Sequence, residues 1–217
     1  MVLYMGTTPV ASCMTRNVIT VSPETDITLA AQHMLHGHFG CLPVVEQERL
    51  VGILSEIDIL RGFLLVGNVA ANKGRVVQDA MQDLLILVTP EDLVSTAYQR
   101  MQGGIVRHLP VVDDEDKLAG VITDRDIRQA GVFGELGAMP PEPDEPFDMM
   151  TVNDLMTTQV VTVRPDATLA EAAESFLTRK FGCLPVTRED GAIAGILTVT
   201  DLLILYVQDL NAGHGRL

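Results

Sequence analysis

The 217 residues are 47% hydrophobic and 20% charged, enough apolar content for a buried core. Twenty-nine acidic residues against fifteen basic ones give a formal charge of −14, a field that opposes phosphate backbones and anionic membranes; no Trp, three Tyr and six Phe offer few stacking platforms for single-stranded nucleic acid. The three cysteines, Cys13, Cys41 and Cys183, form no CxxC pair, no apolar run reaches the ~18 residues of a membrane span, and Met1-Val2-Leu3-Tyr4-Met5 lacks signal-peptide zones, so a cytoplasmic chain without nucleic-acid or membrane partners is expected.

Read along the chain, one pattern occurs three times. Each copy opens at a methionine (Met14, Met81, Met156), with a proline nine residues later (Pro23, Pro90, Pro165) and another at twenty-nine (Pro43, Pro110, Pro185). A glycine follows (Gly52, Gly120, Gly195), and six residues beyond it stands an aspartate (Asp58, Asp126, Asp201). Only the turn before the glycine changes length, by one residue.

The first element of each copy is a β-rich apolar run, Val18–Val21, Leu85–Val88 and Val160–Val163, predicted as a short strand. Ser22-Pro23-Glu24, Thr89-Pro90-Glu91 and Arg164-Pro165-Asp166 then open an amphipathic helix, with Leu29, Ala30, Met34 and Leu35 at helical spacing in the first copy. Leu42–Val45, Leu109–Val112 and Leu184–Val186 read as second strands. After a polar turn, Leu50–Leu54 and its counterparts read as third strands, and a second helix starts near Glu56, Asp124 and Val199.

The unit is β-α-β-β-α over about 55 residues, an α+β repeat too small to bury a sufficient core alone, so repeats must pair through their sheets and helices. The expected boundaries are 8–66, 76–131 and 151–208, with a Pro- and acid-rich linker at 132–150 around Glu142-Pro143-Asp144-Glu145-Pro146. That linker sets the third repeat apart, while the shorter 66–77 connection ties the first two together. Phe-Gly-Cys-Leu-Pro-Val, shared by 39–44 and 181–186, leaves pairing of repeat one with repeat three open. With an odd number of repeats, the one left over needs a partner from another copy, most economically through a two-fold axis; a homodimer is expected.

The sharpest local signal is Gly52-Ile53-Leu54-Ser55-Glu56-Ile57-Asp58, matched by Gly120–Asp126 and Gly195–Asp201. One reading is a helix N-terminus, with Ser55, Thr123 or Thr198 as N-cap and Asp58, Asp126 or Asp201 as its acidic partner. The other turns the same groups on a ligand: N–H groups and a hydroxyl hold a phosphate, and a carboxylate accepts both hydroxyls of a ribose. The residue types leave both readings open.

Taken whole, Met-Thr near the start, Leu-Pro-Val-Val in the middle and the Gly-to-Asp motif at the end resemble the cystathionine β-synthase (CBS) domain family over most of residues 11–208. The resemblance implies tandem modules that bind AMP, ADP, ATP or related adenosyl ligands in clefts. It places the Ser or Thr of each motif on phosphate or ribose and the Asp on the ribose diol, hence Ser55 with Asp58, Thr123 with Asp126 and Thr198 with Asp201. It also places Thr20-Val21, Leu87-Val88 and Thr162-Val163 beside adenine, although by pattern these are equally core strand. Only repeat two has basic residues before its Leu-Pro-Val-Val, Arg107-His108, which relatives direct at phosphates. Arg125 and Arg128 add charge on the following helix, Arg128 equally as part of an exposed face. Gly40-Cys41 and Gly182-Cys183 depart from the basic version, with Arg16 and Lys180 as substitutes across a pair.

The expected function is a non-catalytic sensor with no cofactor, an adenine nucleotide as its regulatory ligand, and an effector protein that reads the bound state. One alternative is a ligand-independent dimerisation scaffold. Another is a metal- or redox-responsive protein using His33, His36, His38 and Cys41, or Cys41 and Cys183. No nucleophile, base and orienting group stand together as an enzyme requires, and Asp113, Asp114, Glu115 and Asp116 fall in a solvated turn.

Overall fold

The structure is a computed structural model that describes residues 9–12, 14–65, 74–104, 106–130, 149–179 and 181–214. Its elements in chain order are α1 (Ile27–Gly37), β1 (Cys41–Glu46), β2 (Arg49–Ser55), α2 (Glu56–Leu65), α3 (Val94–Gly104), β3 (His108–Val112), β4 (Leu118–Thr123), α4 (Asp124–Gln129), α5 (Val152–Leu155), α6 (Leu169–Arg179), β5 (Cys183–Thr187), β6 (Ile193–Thr198) and α7 (Val199–His214). This is the expected α+β architecture, a helix, an antiparallel hairpin and a second helix in each repeat. Most of the 132–150 linker and most of the 66–77 connection lie outside the described residues.

The expected first strands shrink to one parallel bridge each, Val21 with Val44, Val88 with Val111 and Val163 with Val186. Each valine N–H donates to the carbonyl of Pro43, Pro110 or Pro185, and each valine carbonyl accepts from Val45, Val112 or Thr187. The next rung would need an N–H on the proline itself, which proline lacks, so the ladder stops there. The first helices also start later than the Pro-acid pairs suggested. Pro23, Pro90 and Pro165 sit in turns closed by the N–H groups of Thr25, Asp92 and Ala167, and α1 begins only after Asp26, whose carboxylate accepts from the Thr28 N–H at 2.8 Å as N-cap.

The chain divides into two compact units, Met1–Ile59 and Leu60–Leu217. The first holds repeat one around Val21, Ala30, Ala31, Met34, Leu42 and Ile59. Its hairpin turns through Gln47 and Glu48 at φ 48° and 63°, a left-handed pair that Asn-Gly would adopt with less strain.

The second unit pairs repeats two and three about a pseudo-two-fold axis. At the hairpin turns the Leu118 N–H donates to the Gly191 carbonyl at 3.2 Å, and the Ile193 N–H to the Asp116 carbonyl at 3.3 Å. Each repeat also lends its opening segment to the other. Gln82 and Ile196 exchange backbone hydrogen bonds of 2.8 and 2.9 Å, and Thr157 and Val121 exchange the matching pair at 2.9 and 3.0 Å. Val77 donates its N–H to Ala167 and Val152 donates to Asp92, each valine side chain fully buried. A Cβ on Gly120 would lie 2.8 Å from the Thr157 carbonyl oxygen, and one on Gly195 would lie 2.9 Å from that of Gln82, so only glycine lets the segments cross. Repeat two is therefore paired with repeat three, against the pairing with repeat one that connection length suggested. The pairing is built from the apolar opening segments, which bury Val77 and Val152, and linker length does not foretell it.

Candidate functional site

Hairpin register assembles the motif residues. In β3–β4, His108 lies opposite Thr123, and the Asp124 N–H donates to the Arg107 carbonyl at 3.0 Å. The basic pair and the Thr-x-x-Asp turn, fifteen residues apart in sequence from His108 to Thr123, thus share one hairpin end. The same register sets Cys41 opposite Ser55 and Cys183 opposite Thr198.

In all three repeats the Ser or Thr and the Asp close on each other. The Thr123 backbone N–H and hydroxyl both donate to Asp126 Oδ2, at 2.9 and 2.6 Å, while the Asp126 N–H donates back to Thr123 Oγ1 at 3.2 Å. Ser55 with Asp58 and Thr198 with Asp201 repeat this reciprocal cap. The helix-terminus reading therefore holds in every copy, and a ligand would have to use what the cap leaves over.

What is left over differs between repeats two and three. Asp201 is buried, and its Oδ1 accepts from Gln82 Nε2 at 2.9 Å, a side chain of the crossing segment. Asp126 is only half-buried, and among the described residues its Oδ1 has no hydrogen-bond donor. The crossing residue there is Thr157, the counterpart of Gln82. Sequence reading passed over Gln82, although a signal was present: Thr follows the landmark methionine in repeats one and three, and Gln replaces it only in repeat two.

Around the repeat-two motif the charge is positive and available. Arg107 and Arg125 are exposed and form no ion pair among the described residues, whereas Arg128 is held by Asp124 at 2.5 Å, one helical turn away. His108 is half-buried, and burial holds its imidazole below the ordinary histidine range, with Asp124 and Asp126 pulling the other way and Arg107 reinforcing the effect. In repeat one Arg16 is exposed and donates to the Ala11 carbonyl at 2.9 Å; Lys180 lies outside the described residues.

Of the adenine-side pairs, Val21 and Val88 are buried, Val88 in the core cluster of repeat two, and Val163 is half-buried. The backbone groups of all three valines are used in the parallel bridges. Their neighbours differ: Thr20 and Thr162 are exposed, Leu87 is half-exposed, and the Leu87 carbonyl accepts from Arg100 Nη1 at 2.6 Å. Burial pushes the Cys183 thiol up to about 12, while Cys41 is exposed. Among the described residues, no three His, Cys, Asp or Glu side chains converge as a metal set, and no helix is long and apolar enough to cross a membrane.

Comparison with known proteins agrees with the three-repeat organisation of the chain. The family model described as CBS domain matches residues 10–64, 77–132 and 152–207. Protein MJ1225 of Methanocaldococcus jannaschii is 29% identical over 197 residues, 90% of this chain and 69% of that protein. Its crystal structure, described as that of a proposed archaeal homolog of g-AMPK, matches with a TM-score of 0.73 at 28% identity, covering 91% of this chain and 70% of the other. The inosine-5'-monophosphate dehydrogenase of the same organism is 33% identical over 135 residues, 61% of this chain but only 24% of the enzyme. The crystal structure of CBSX2 in complex with AMP, a protein of Arabidopsis thaliana, matches with a TM-score of 0.51 at 30% identity, covering 62% of this chain and 98% of the other.

Proposed function

Because the chain belongs to the CBS domain family, we propose that it is a non-catalytic regulatory protein whose repeat-two motif takes an adenine nucleotide of the AMP, ADP or ATP class. The observation that carries this reading is the contrast between Asp126 and Asp201. Both close the same cap, but of the two only Asp126 keeps an oxygen without a donor among the described residues, and it does so on the hairpin end that carries Arg107 and His108. A ribose diol donates to Asp126 Oδ1. The phosphate lies against Arg107, Arg125 and the Thr123 hydroxyl, which turns from Asp126 toward it while the two backbone N–H bonds keep the cap closed. Leu87 offers the base an apolar flank. The relative bound to AMP, 30% identical over nearly its whole length, supports the ligand class.

The two arginines act on the phosphate at short range, whereas the field of the net charge of −14 is screened beyond about 8–10 Å at ordinary salt. Binding regulates if the nucleotide prefers one arrangement of the paired repeats, since a ligand shifts an equilibrium only by its differential affinity. The test is thermal unfolding and titration calorimetry of nucleotide-stripped protein with AMP, ADP and ATP. A ligand at about 100 times its dissociation constant stabilises by about 2.7 kcal/mol, and Asp126→Ala abolishes that response. If no adenosyl compound shifts the wild type, the second reading stands: a ligand-independent scaffold, favoured by the three caps that are already satisfied without ligand.

A further inference from the structure

Repeat one carries the same pairing face as repeats two and three, and no described residue of the chain buries that face as the paired repeats bury theirs. Val10 is 79% exposed, whereas its counterparts Val77 and Val152 are 0% exposed, each inserted into the sister repeat. Ile53 is 67% exposed against 6% for Val121 and 9% for Ile196, the residues that receive the crossing segment. Ile27, 39% exposed, corresponds to Val94 at 0% and Leu169 at 2%. Gly52 is conformationally ordinary and meets nothing closer than Val44 Cβ at 3.9 Å, whereas Gly120 and Gly195 are glycines because a segment passes over them. A glycine, a methionine and three large apolar residues stand where the paired repeats have theirs, with no crossing segment over them among the described residues.

We propose that repeat one pairs with repeat one of a second copy, about a true two-fold axis, in the register by which repeats two and three pair within the chain. The occupant must both give and receive a segment. Repeat one has the givers, Val10 and Met14, and the receivers, Ile27, Gly52 and Ile53, so a second copy is complementary to it by construction. Repeats two and three already fill each other's faces. The hairpin turn adds charge complementarity. Glu48 matches Asp116 and Gly191, all three at positive φ, and Arg49 matches Lys117 and Ala192, which bridge each other across the pseudo-axis. A Cβ on Gly191 would lie 3.8 Å from Lys117 Cγ; repeated about a true axis, that contact sets Arg49 of each copy beside Glu48 of the other, twice. The Leu50 N–H then donates to the Glu48 carbonyl of the other copy, as Leu118 does to Gly191.

This pairing goes beyond the nucleotide reading and is tested without nucleotide, so either can fail alone. Sedimentation velocity of the purified full chain, stripped of ligand, is expected to show a dimer. Ile53→Asp, at a position exposed in the single chain, buries two like charges about the axis and weakens the dimer by more than about 100-fold with unchanged circular dichroism. Arg49→Cys reads the register directly. Bridge partners have Cα atoms about 4.5–5.5 Å apart, within disulfide range, so mild oxidation gives a covalent dimer linked through position 49 on both chains, identified by peptide mass. A monomeric wild type overturns the proposal, as does a dimer that neither yields to Ile53→Asp nor cross-links at position 49. Should Ile53→Asp fail to fold, the cross-link alone decides.

Discussion

The imidazole of His108 occupies the space that a side chain at Gly182 would need: a Cβ on Gly182 would lie 2.5 Å from Nε2 and 3.1 Å from Cε1. The two residues belong to paired repeats, and Gly182 stands at the sequence position matching Arg107. The missing basic residue of repeat three therefore has a packing reason, since it makes room for the histidine of repeat two.

Gly182→Ala is accordingly expected to displace the free end of the His108 side chain and to destabilise the fold by up to about 1 kcal/mol, the low end of the overpacking range, read as a lower urea midpoint. Combining it with His108→Ala tests the contact itself. If the imidazole is what clashes, the double variant is more stable than the sum of the single effects predicts, with a coupling of at least about 0.5 kcal/mol.

His108 also gives the fold a pH dependence of defined sign. Its folded pKa is lowered, mainly by burial, so between that value and the unfolded value of 6.5 the unfolded chain binds the proton and the folded chain does not. This contribution to stability is complete above pH 6.5 and is lost as pH falls below it, at no more than about 1.4 kcal/mol per pH unit. His108→Gln is expected to flatten that part of a stability-against-pH curve. If the proposed nucleotide's phosphate lies near enough to His108 to favour the imidazolium, nucleotide affinity is expected to rise as pH falls below 6.5. Comparison with His108→Gln separates this from titration of the phosphate itself.

The thiols should differ in reactivity. Cys183 is pushed up to about 12 by burial, so at pH 8 its thiolate is scarce, while Cys41 is exposed. Iodoacetamide under native conditions is expected to alkylate Cys41 and to leave Cys183 more than about 100-fold slower, with Cys183 reacting once the chain is unfolded in urea. Fast native labelling of Cys183 would favour the redox reading for that position.

The three-fold repeat, the hairpins and the starts of the second helices were legible because the landmarks Met, Pro, Gly and Asp recur at nearly fixed spacing and each has a local backbone reason. What local pattern could not carry was contact between repeats. Val77 and Val152 look like any apolar residue upstream of a landmark methionine, and only the fold shows that each is buried in the other repeat. The strand before Pro43, Pro110 and Pro185 was overread because its β propensity is genuine; the missing proline N–H, a property of its neighbour, ends the ladder. The capping motif was recognised but remained ambiguous, since cap and ligand site use the same atoms. The asymmetry at Gln82 separates the copies, and it acts through a segment from a different repeat.

That asymmetry makes the most discriminating comparison. Asp126→Ala and Asp201→Ala delete the same reciprocal cap, so each is expected to cost about 0.5–2 kcal/mol of stability. Their effects on ligand should part. Asp126 has an oxygen with no donor among the described residues, on the hairpin end that carries Arg107 and His108, whereas Asp201 is buried with its second oxygen held by Gln82, and its motif's Thr198 stands opposite Cys183 rather than a histidine. The nucleotide-induced rise in melting temperature is expected to vanish in Asp126→Ala and to persist in Asp201→Ala, measured against each variant's own ligand-free baseline. The reverse pattern would move the site to repeat three and would require Gln82 to give way to the ribose. Equal losses in both would mean that the ligand reads the integrity of the paired repeats rather than one carboxylate.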